Sequence, residues 1–281
     1  MKTKSVFASI STTDLLLHFF LIVVVIINVF PILWMISSSI KLPNELFTSE
    51  IKLVPHFPTL DNFRYAIFEF RFFSWLYNSF ITTLGISIGQ VLVAILAAFG
   101  VCYFKTKYNE FVFYFLIATM VIPFQVTMIP NYILIGKMKL INTAMGVIIP
   151  NLAVASTFFF MRQHFKRVPS VLYEAALIEG AKSLWILRNV TMPLCSSAIF
   201  AMYILCVIDG WNLYFWPLLI LTRPETRTLP IGLQQFLDNE SGNRMGPFMA
   251  TATLASVPII TLYFFIQRRI IEAFVSSGIK G

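Results

Sequence analysis

The stretch "YEAALIEGAKSLWILRNVTMPL", residues 173–194, interrupts two apolar runs, 143–161 and 196–208, that are rich in Leu, Ile, Val and Phe. It carries Glu174, Glu179, Lys182 and Arg188, and a pair of alanines precedes Gly180 by a few residues. Such a segment is helix-forming but too polar to cross a bilayer, whereas its flanks are apolar and long enough to do so. Its presence makes the chain a set of membrane helices with one polar element projecting from them.

The composition agrees with that reading. The chain has 281 residues, 58% hydrophobic and 12% charged, with mean hydropathy +0.79. A soluble domain carries a charged fraction of about 25%. The net charge is +8. Because the basic residues flank apolar runs rather than forming an aromatic-interleaved patch, lipid headgroups and topology account for them better than nucleic acid does. Cys102, Cys195 and Cys206 lie in or beside apolar runs and form no CxxC pair, so neither a disulfide framework nor a zinc site is expected. The run Leu15–Ile36 follows Lys2 and Lys4, as a signal peptide would. It exceeds the usual apolar core of roughly 7–15 residues and no small-x-small site follows, so it reads as a retained first span, about 33 Å long.

Six transmembrane helices are expected in an all-α fold, at roughly 15–36, 75–103, 111–130, 143–161, 194–221 and 247–267. Residues 1–14 and 268–281 then form short tails, and 162–193 is the polar loop. Of the 21 Lys and Arg, 12 fall on the side of the N-terminus, 5 of them in 162–193, and 9 on the other. Seven of the thirteen acids lie on that second side. The positive-inside rule places both termini and the 162–193 loop in the cytoplasm.

Pro123, Pro150, Pro217 and Pro258 fall within these spans, where neighbouring groups can satisfy the freed backbone. Gly85 and Gly89 form a small-xxx-small face for close helix approach, within this chain or toward another subunit. Asp209 is placed near the middle of the fifth span, one helical step from Asn212, with Trp211 and Trp216 nearby. An acid there costs roughly 2.5–3.5 kcal/mol to insert, so it should face protein or a wet cavity. Aromatic faces with an amide suit sugar rings, although Trp also belongs to membrane-interface belts.

Other chemistry is missing from the sequence. "GAKS" at 180–183 imitates the end of a phosphate-binding loop, but Ala181 replaces the required glycine and the upstream glycine is missing. No ATP hydrolysis is therefore expected from this chain. His18, His56 and His164 are far apart in sequence, with no HExxH and no hydrolase arrangement. No cofactor or metal is expected.

Within the polar loop, Pro169 and Ser170 are start signals for a helix, at N1 and N-cap type positions, and both cannot be optimal in one register. Leu172, Ala175 and Ala176 would share one face, Glu174 and Ile178 another. Gly180 can end the helix in a left-handed conformation. Ser183 would open a second short helix, which Pro193 separates from the fifth span. From physics alone, the element is either a docking knob for a protein groove or an amphipathic helix lying on lipid.

Glu174-Ala175-Ala176, Gly180 and Pro193 stand at the spacing of the EAA loop of ABC-importer permeases, E-A-A-x3-G-x9-I-x-L-P, with Val190 and Met192 at its Ile and Leu positions. "MRQHF" before the loop, "PTLDNFRYAI" after the first span, "GWNLYFWPLLI" at 210–220, "TLPIGLQQF" at 228–236 and the ending "QRRIIEAFVSSGIKG" resemble carbohydrate-uptake permeases of the maltose and glycerol-3-phosphate type. The resemblance covers nearly the whole chain. It implies a type I ABC-importer permease in a bacterial plasma (inner) membrane, with 173–194 as the coupling element. The implied partners are a second homologous permease, two copies of a cytoplasmic ATPase and an extracytoplasmic solute-binding protein that delivers a carbohydrate. It also implies that the 222–246 loop reaches toward that binding protein. The competing readings are an ion-coupled secondary transporter using Asp209 and a membrane scaffold whose loop docks a cytoplasmic partner.

Overall fold

A computed structural model describes residues 12–46, 52–104, 106–237 and 244–278, with side chains to residue 267. Helices account for all the regular structure among these residues, and no strand occurs. The described residues fall into two compact units. One comprises the chain up to Phe70 together with Phe236–Leu254, and the other Arg71–Gln235 with Ala255 onward.

The first unit begins with α1 (Thr12–Ser39), whose only buried residues are Ser37, Ser38 and Ser39. Two short helices follow, α2 (Pro43–Leu46) and α3 (Asp61–Arg64), the latter continuing as a π-helical turn at Tyr65–Glu69. Asn62 ties this unit together. Its Nδ2 donates to the carbonyls of Ser39 (3.0 Å) and Lys41 (2.8 Å), satisfying the end of α1 with a side chain. Lys41 itself is buried, its ammonium donating to the Lys52 carbonyl and lying 4.3 Å from the Trp34 ring. These contacts give a structural reason for the "LDNF" portion of the motif after the first span.

The second unit is built on α4 (Phe72–Tyr103), a rod of 32 residues. Next come α5 (Asn109–Ala118) with a 3-10 turn to Val121, and α6 (Phe124–Lys137). Ile122 and Pro123 are extended, since a residue before proline avoids helical backbone, and the two helices meet at 98°. The expected single span at 111–130 is therefore a sharply bent pair. α7 (Ala144–Ile148) runs into a 3-10 turn containing Pro150, and α8 (Ala155–Phe165) follows after a 49° bend. Then come α9 (Ser170–Ile178), α10 (Ser183–Ile186), a π-helical turn at Leu187–Thr191, α11 (Met192–Leu194) and α12 (Ser196–Trp211). The remaining helices are α13 (Phe215–Ile220), α14 (Leu229–Gln234) and α15 (Met245–Gly278), the last of which begins in the first unit.

α1, α4 and the Met245–Gln267 part of α15 are each long and apolar enough to cross a membrane. The bent pairs 109–137, 144–165 and 183–211 raise that number to six if each is one span. Two expected boundaries change. α15 runs past 267 to Gly278, so the expected tail starts inside a helix. The expected 194–221 span is interrupted at 212–214. Asn212 Nδ2 caps the Ile208 carbonyl at 2.9 Å, and Pro217 has no N–H with which to continue a ladder through Leu213.

Packing in the second unit follows the small residues of α4. A Cβ at Gly85 would lie 2.5 Å from Ile148, and one at Gly89 would lie 2.3 Å from Leu152. The small-xxx-small face is thus used within this chain, against α7 and the turn after it. Gln90 Nε2 donates to Thr157 Oγ1 at 2.5 Å, a buried polar link between α4 and α8.

Candidate functional site

α9 is held to the membrane helices by one narrow face. Pro169 is the N-cap, with φ −61° and ψ 131°, and Ser170 is the first helical residue and makes no capping bond. Both thus stand one place from the expected register. Proline suits the position because its missing N–H is one that a helix start does not use, while its carbonyl accepts from Leu172 N at 3.1 Å. The inward face is half-buried Tyr173 and buried Ala176, three residues apart, whereas Leu172 and Ala175, expected to share a face with Ala176, are exposed. Ala176 joins the core formed by Ala98, Phe99, Ile186 and Leu187. The Tyr173 ring meets Tyr103 edge-on at 5.5 Å, and its hydroxyl accepts from Thr191 Oγ1 at 3.3 Å.

The other face is free. Glu174, Ala175 and Ile178 are exposed, and Glu174 has no hydrogen-bond or ionic partner among the described residues. Gly180 has φ 80°. Its N–H reaches the Leu177 carbonyl (3.0 Å) and Ala181 N–H reaches the Ala176 carbonyl (2.9 Å), the two bonds of a Schellman cap. The left-handed residue turns the chain back so that α10 starts against the same core. The result is a knob with Glu174, Ala175, Leu177 and Ile178 outward, followed by exposed Leu184 and Trp185.

Pro193 does not mark the boundary with α12. It lies inside α11, and the 83° turn falls at Cys195. Upstream, the ladder widens: Met192 N–H bonds the Leu187 carbonyl, five residues back. A π turn is one way for a helix to accommodate a proline that offers no donor of its own.

Beside α9 lies a cleft of about 840 Å³ whose walls include Tyr103, Glu110, Arg162, Lys166, Glu174 and Leu177. Arg162, in the last turn of α8, is the group that the sequence reading passed over. Its side chain is 7% exposed, its guanidinium is 3.2 Å from Glu110 and 3.6 Å from the Phe113 ring centre, and its Nε has no partner among the described residues. Arginine suits the place because its flat cation can stack on an aromatic and still bond a carboxylate. A sequence signal existed, since Glu110 is the only acid between the second and third expected spans.

The expected sugar-path residues separate into two pairs. Asp209 and Asn212 are exposed in the last turn and cap of α12 rather than in mid-span. Trp211 is buried, with Phe80 edge-on at 5.2 Å. Trp216 has no exposed surface, and its indole N–H bonds the Gly146 carbonyl at 3.1 Å inside a core with Ile86, Ile135 and Ile220. The tryptophan rings are occupied by packing, so of these four side chains only Asp209 and Asn212 are exposed.

The family model for "Binding-protein-dependent transport system inner membrane component" matches residues 90–275, which include α5 to α14, the knob and most of α15. The chain belongs to this family. This permease is 29% identical to the sn-glycerol-3-phosphate transport system permease protein UgpE of Brucella abortus, over 94% of this chain and 97% of that one. It is 33% identical to the arabinooligosaccharides transport system permease protein AraQ of Halalkalibacterium halodurans, over 91% of this chain and 92% of that one. A solved bacterial ABC transporter involved in the import of the acidic polysaccharide alginate shares its fold, with TM-score 0.81 at 20% identity, covering 92% of the permease and 98% of the matched chain. The permease is therefore a multi-pass membrane protein with an all-α importer fold.

Proposed function

We propose that this permease is the translocation subunit of an ATP-driven, binding-protein-dependent carbohydrate importer, and that α9 is the knob through which an ATPase drives it. The observation that carries the reading is the two-sidedness of α9: Ala176 is buried in the permease core while Glu174 and Ala175 stand free. A helix fixed on one face and unpartnered on the other can move with the spans and be gripped by a partner. Closure of an ATPase dimer around the knob would rock α8 to α12, because the two states make different contacts with it. In this reading 162–193 and both termini face the cytoplasm, and a second homologous permease, two ATPase copies and an extracytoplasmic binding protein complete the complex. Segment 238–243, the tip of the loop read as reaching the binding protein, lies outside the described residues.

The relatives named above carry glycerol-3-phosphate and arabinooligosaccharides in their names. A neutral oligosaccharide is the better match for this chain. Arg162 is spent on Glu110 and Phe113, Arg223 and Arg227 lie beyond α13, and neither α12 nor α13 contains an arginine to serve as a phosphate clamp beside Asp209 and Asn212.

The purified permease alone should hydrolyse no ATP. With the ATPase, the second permease and the binding protein, hydrolysis should appear and rise when sugar is added. Glu174→Ala, which removes a charge-assisted contact of about 1.5–3 kcal/mol if the ATPase shields it, should weaken recovery of the ATPase or its stimulation by sugar. Hydrolysis by the isolated chain would overturn the assignment.

Asp209→Asn separates this reading from an ion-coupled carrier. The substitution keeps shape and hydrogen bonding at an exposed helix end, so ATP-dependent uptake in proteoliposomes should remain near the wild-type rate. Uptake that follows a proton gradient without ATP, and that this change abolishes, would favour the carrier.

A further inference from the structure

The loop after α13 is fastened to α4 to a degree that a mere connector does not need. Four backbone groups between residues 224 and 229 bond side chains from the first two turns of α4. The indole N–H of Trp75 donates to the Pro224 carbonyl (2.9 Å), and Ser74 Oγ donates to that of Glu225 (3.0 Å). Asn78 Nδ2 donates to the carbonyls of Glu225 (2.8 Å) and Arg227 (3.0 Å), and Ser79 Oγ accepts from Leu229 N (2.8 Å). Exposed loop carbonyls are ordinarily left to water. Gly232 completes the fastening: a Cβ there would sit 2.3 Å from the Trp75 ring.

A second anchor holds the start of the loop. Asn142 adopts φ 62°, and its Oδ1 accepts from Arg223 N (2.9 Å) and Thr222 Oγ1 (3.1 Å), while the Thr226 hydroxyl, 3.3 Å from that oxygen, donates to the Arg223 carbonyl (2.9 Å). Its own N–H donates to the Ile220 carbonyl (2.9 Å). A single amide oxygen thus gathers two donors beside the 3-10 turn Pro224–Thr226.

α4 then runs its whole length, about 48 Å at 1.5 Å per residue, to the knob. At that end Ala98 and Phe99 pack in the core that holds Ala176, and Tyr103 meets Tyr173. One helix touches the strap 222–232 at its start and α9 at its finish.

We propose that Asn78 and Asn142 are positioning residues, Asn78 tying the strap to α4 and Asn142 holding the start of the strap to the turn between α6 and α7, so that a load placed on the strap by the binding protein reaches α9 through α4. The proposal rests on the importer reading above. α4 is a contiguous packed route between the strap and α9, and whether its two ends are energetically coupled is what the variants below measure.

The test uses the complete complex in nanodiscs: this permease, its membrane partner, the ATPase and the sugar-loaded binding protein. Two quantities are read, amide hydrogen exchange in 222–235 and the ratio of binding-protein-stimulated to basal hydrolysis. Asn142→Gly keeps the left-handed backbone and deletes the acceptor; Asn78→Ala deletes the donor. Each should speed exchange at the Arg223 or Leu229 amide about tenfold and lower the stimulation ratio about fivefold, with basal hydrolysis unchanged. Asn142→Asp retains an acceptor and should keep both near wild type, an outcome that general damage to the fold would not give. Faster exchange with undiminished stimulation would overturn the proposal, as would unchanged exchange in both deletion variants. If Asn142→Gly fails to assemble, Asn78→Ala decides by the same two readouts. A wild-type complex with a slowly exchanging strap and no stimulation at all would overturn the importer reading, and the inference with it.

Discussion

Gly180→Val should leave the permease inserted and paired with its membrane partner while reducing sugar-stimulated hydrolysis by about an order of magnitude. The reason is backbone conformation rather than space, since no atom lies within 4 Å of where a Cβ would stand and φ is 80°. A β-branched residue resists that region, at a cost of about 1–3 kcal/mol. The cheapest escape is to abandon the Schellman cap, which frees both of its bonds and changes the direction in which the chain leaves α9. Gly180→Asn tolerates left-handed backbone and should retain most of the stimulation, with Gly180→Ala between the two. Co-purification of the ATPase and its stimulation by sugar are the measurements. Normal coupling by the valine variant would make α9 a lipid-surface helix and sink the central claim.

Gly146→Ala should do the opposite kind of damage, to stability rather than coupling. A Cβ at 146 would lie 2.3 Å from the Leu140 carbonyl oxygen and 3.1 Å from Ile220 Cγ2. The first is backbone in the turn between α6 and α7 and has no rotamer through which to retreat. Overpacking of this sort costs about 1–3 kcal/mol. Here it also displaces the Gly146 carbonyl from the Trp216 indole, a buried bond whose loss leaves a donor unpaired at about 1–3 kcal/mol. The fraction of monodisperse protein surviving a heat challenge in detergent should fall well below that of wild type. Gly100→Ala, with nothing within 4 Å, should survive as wild type does and serves as the control. Equal survival of both variants would mean that the α6–α7 turn is softer than its contacts indicate.

What hydropathy reads well is length, because a bilayer sets a minimum for every crossing segment. The runs that became α1, α4 and α15 were legible for that reason. Hydropathy does not register a helix that stops in apolar sequence, so it runs the fifth span through Asn212, whose side chain caps α12, and Pro217, which has no N–H to carry the ladder on. Pro123 was visible as a proline but not as a 98° corner, since proline alone does not distinguish a tolerated kink from a break. Pro258 shows the tolerated case, sitting within continuous α15. The knob was legible because Gly180 encodes a backbone angle directly. Arg162 was not, because a flanking basic residue is counted as topology, and only three-dimensional packing shows it folded over Phe113 toward Glu110. The tryptophans misled in the same way. An aromatic side chain fits a sugar, an interface or a core equally well until its burial is known.

The most apolar window of α1 has none of its length buried within the chain, whereas that of α4 has 39%. The two helices should therefore record evolutionary history differently. Along Leu15–Ile36, one greasy residue can replace another without disturbing a neighbour in this subunit, so substitutions there accumulate subject mainly to oiliness and to whatever surrounds the helix. Along α4, Gly85, Gly89 and Gln90 are each fitted to one opposing atom or side chain, and change at any of them demands change elsewhere. Divergence between lineages should thus run fast and uncorrelated in the first span, and slow and in concert in the second.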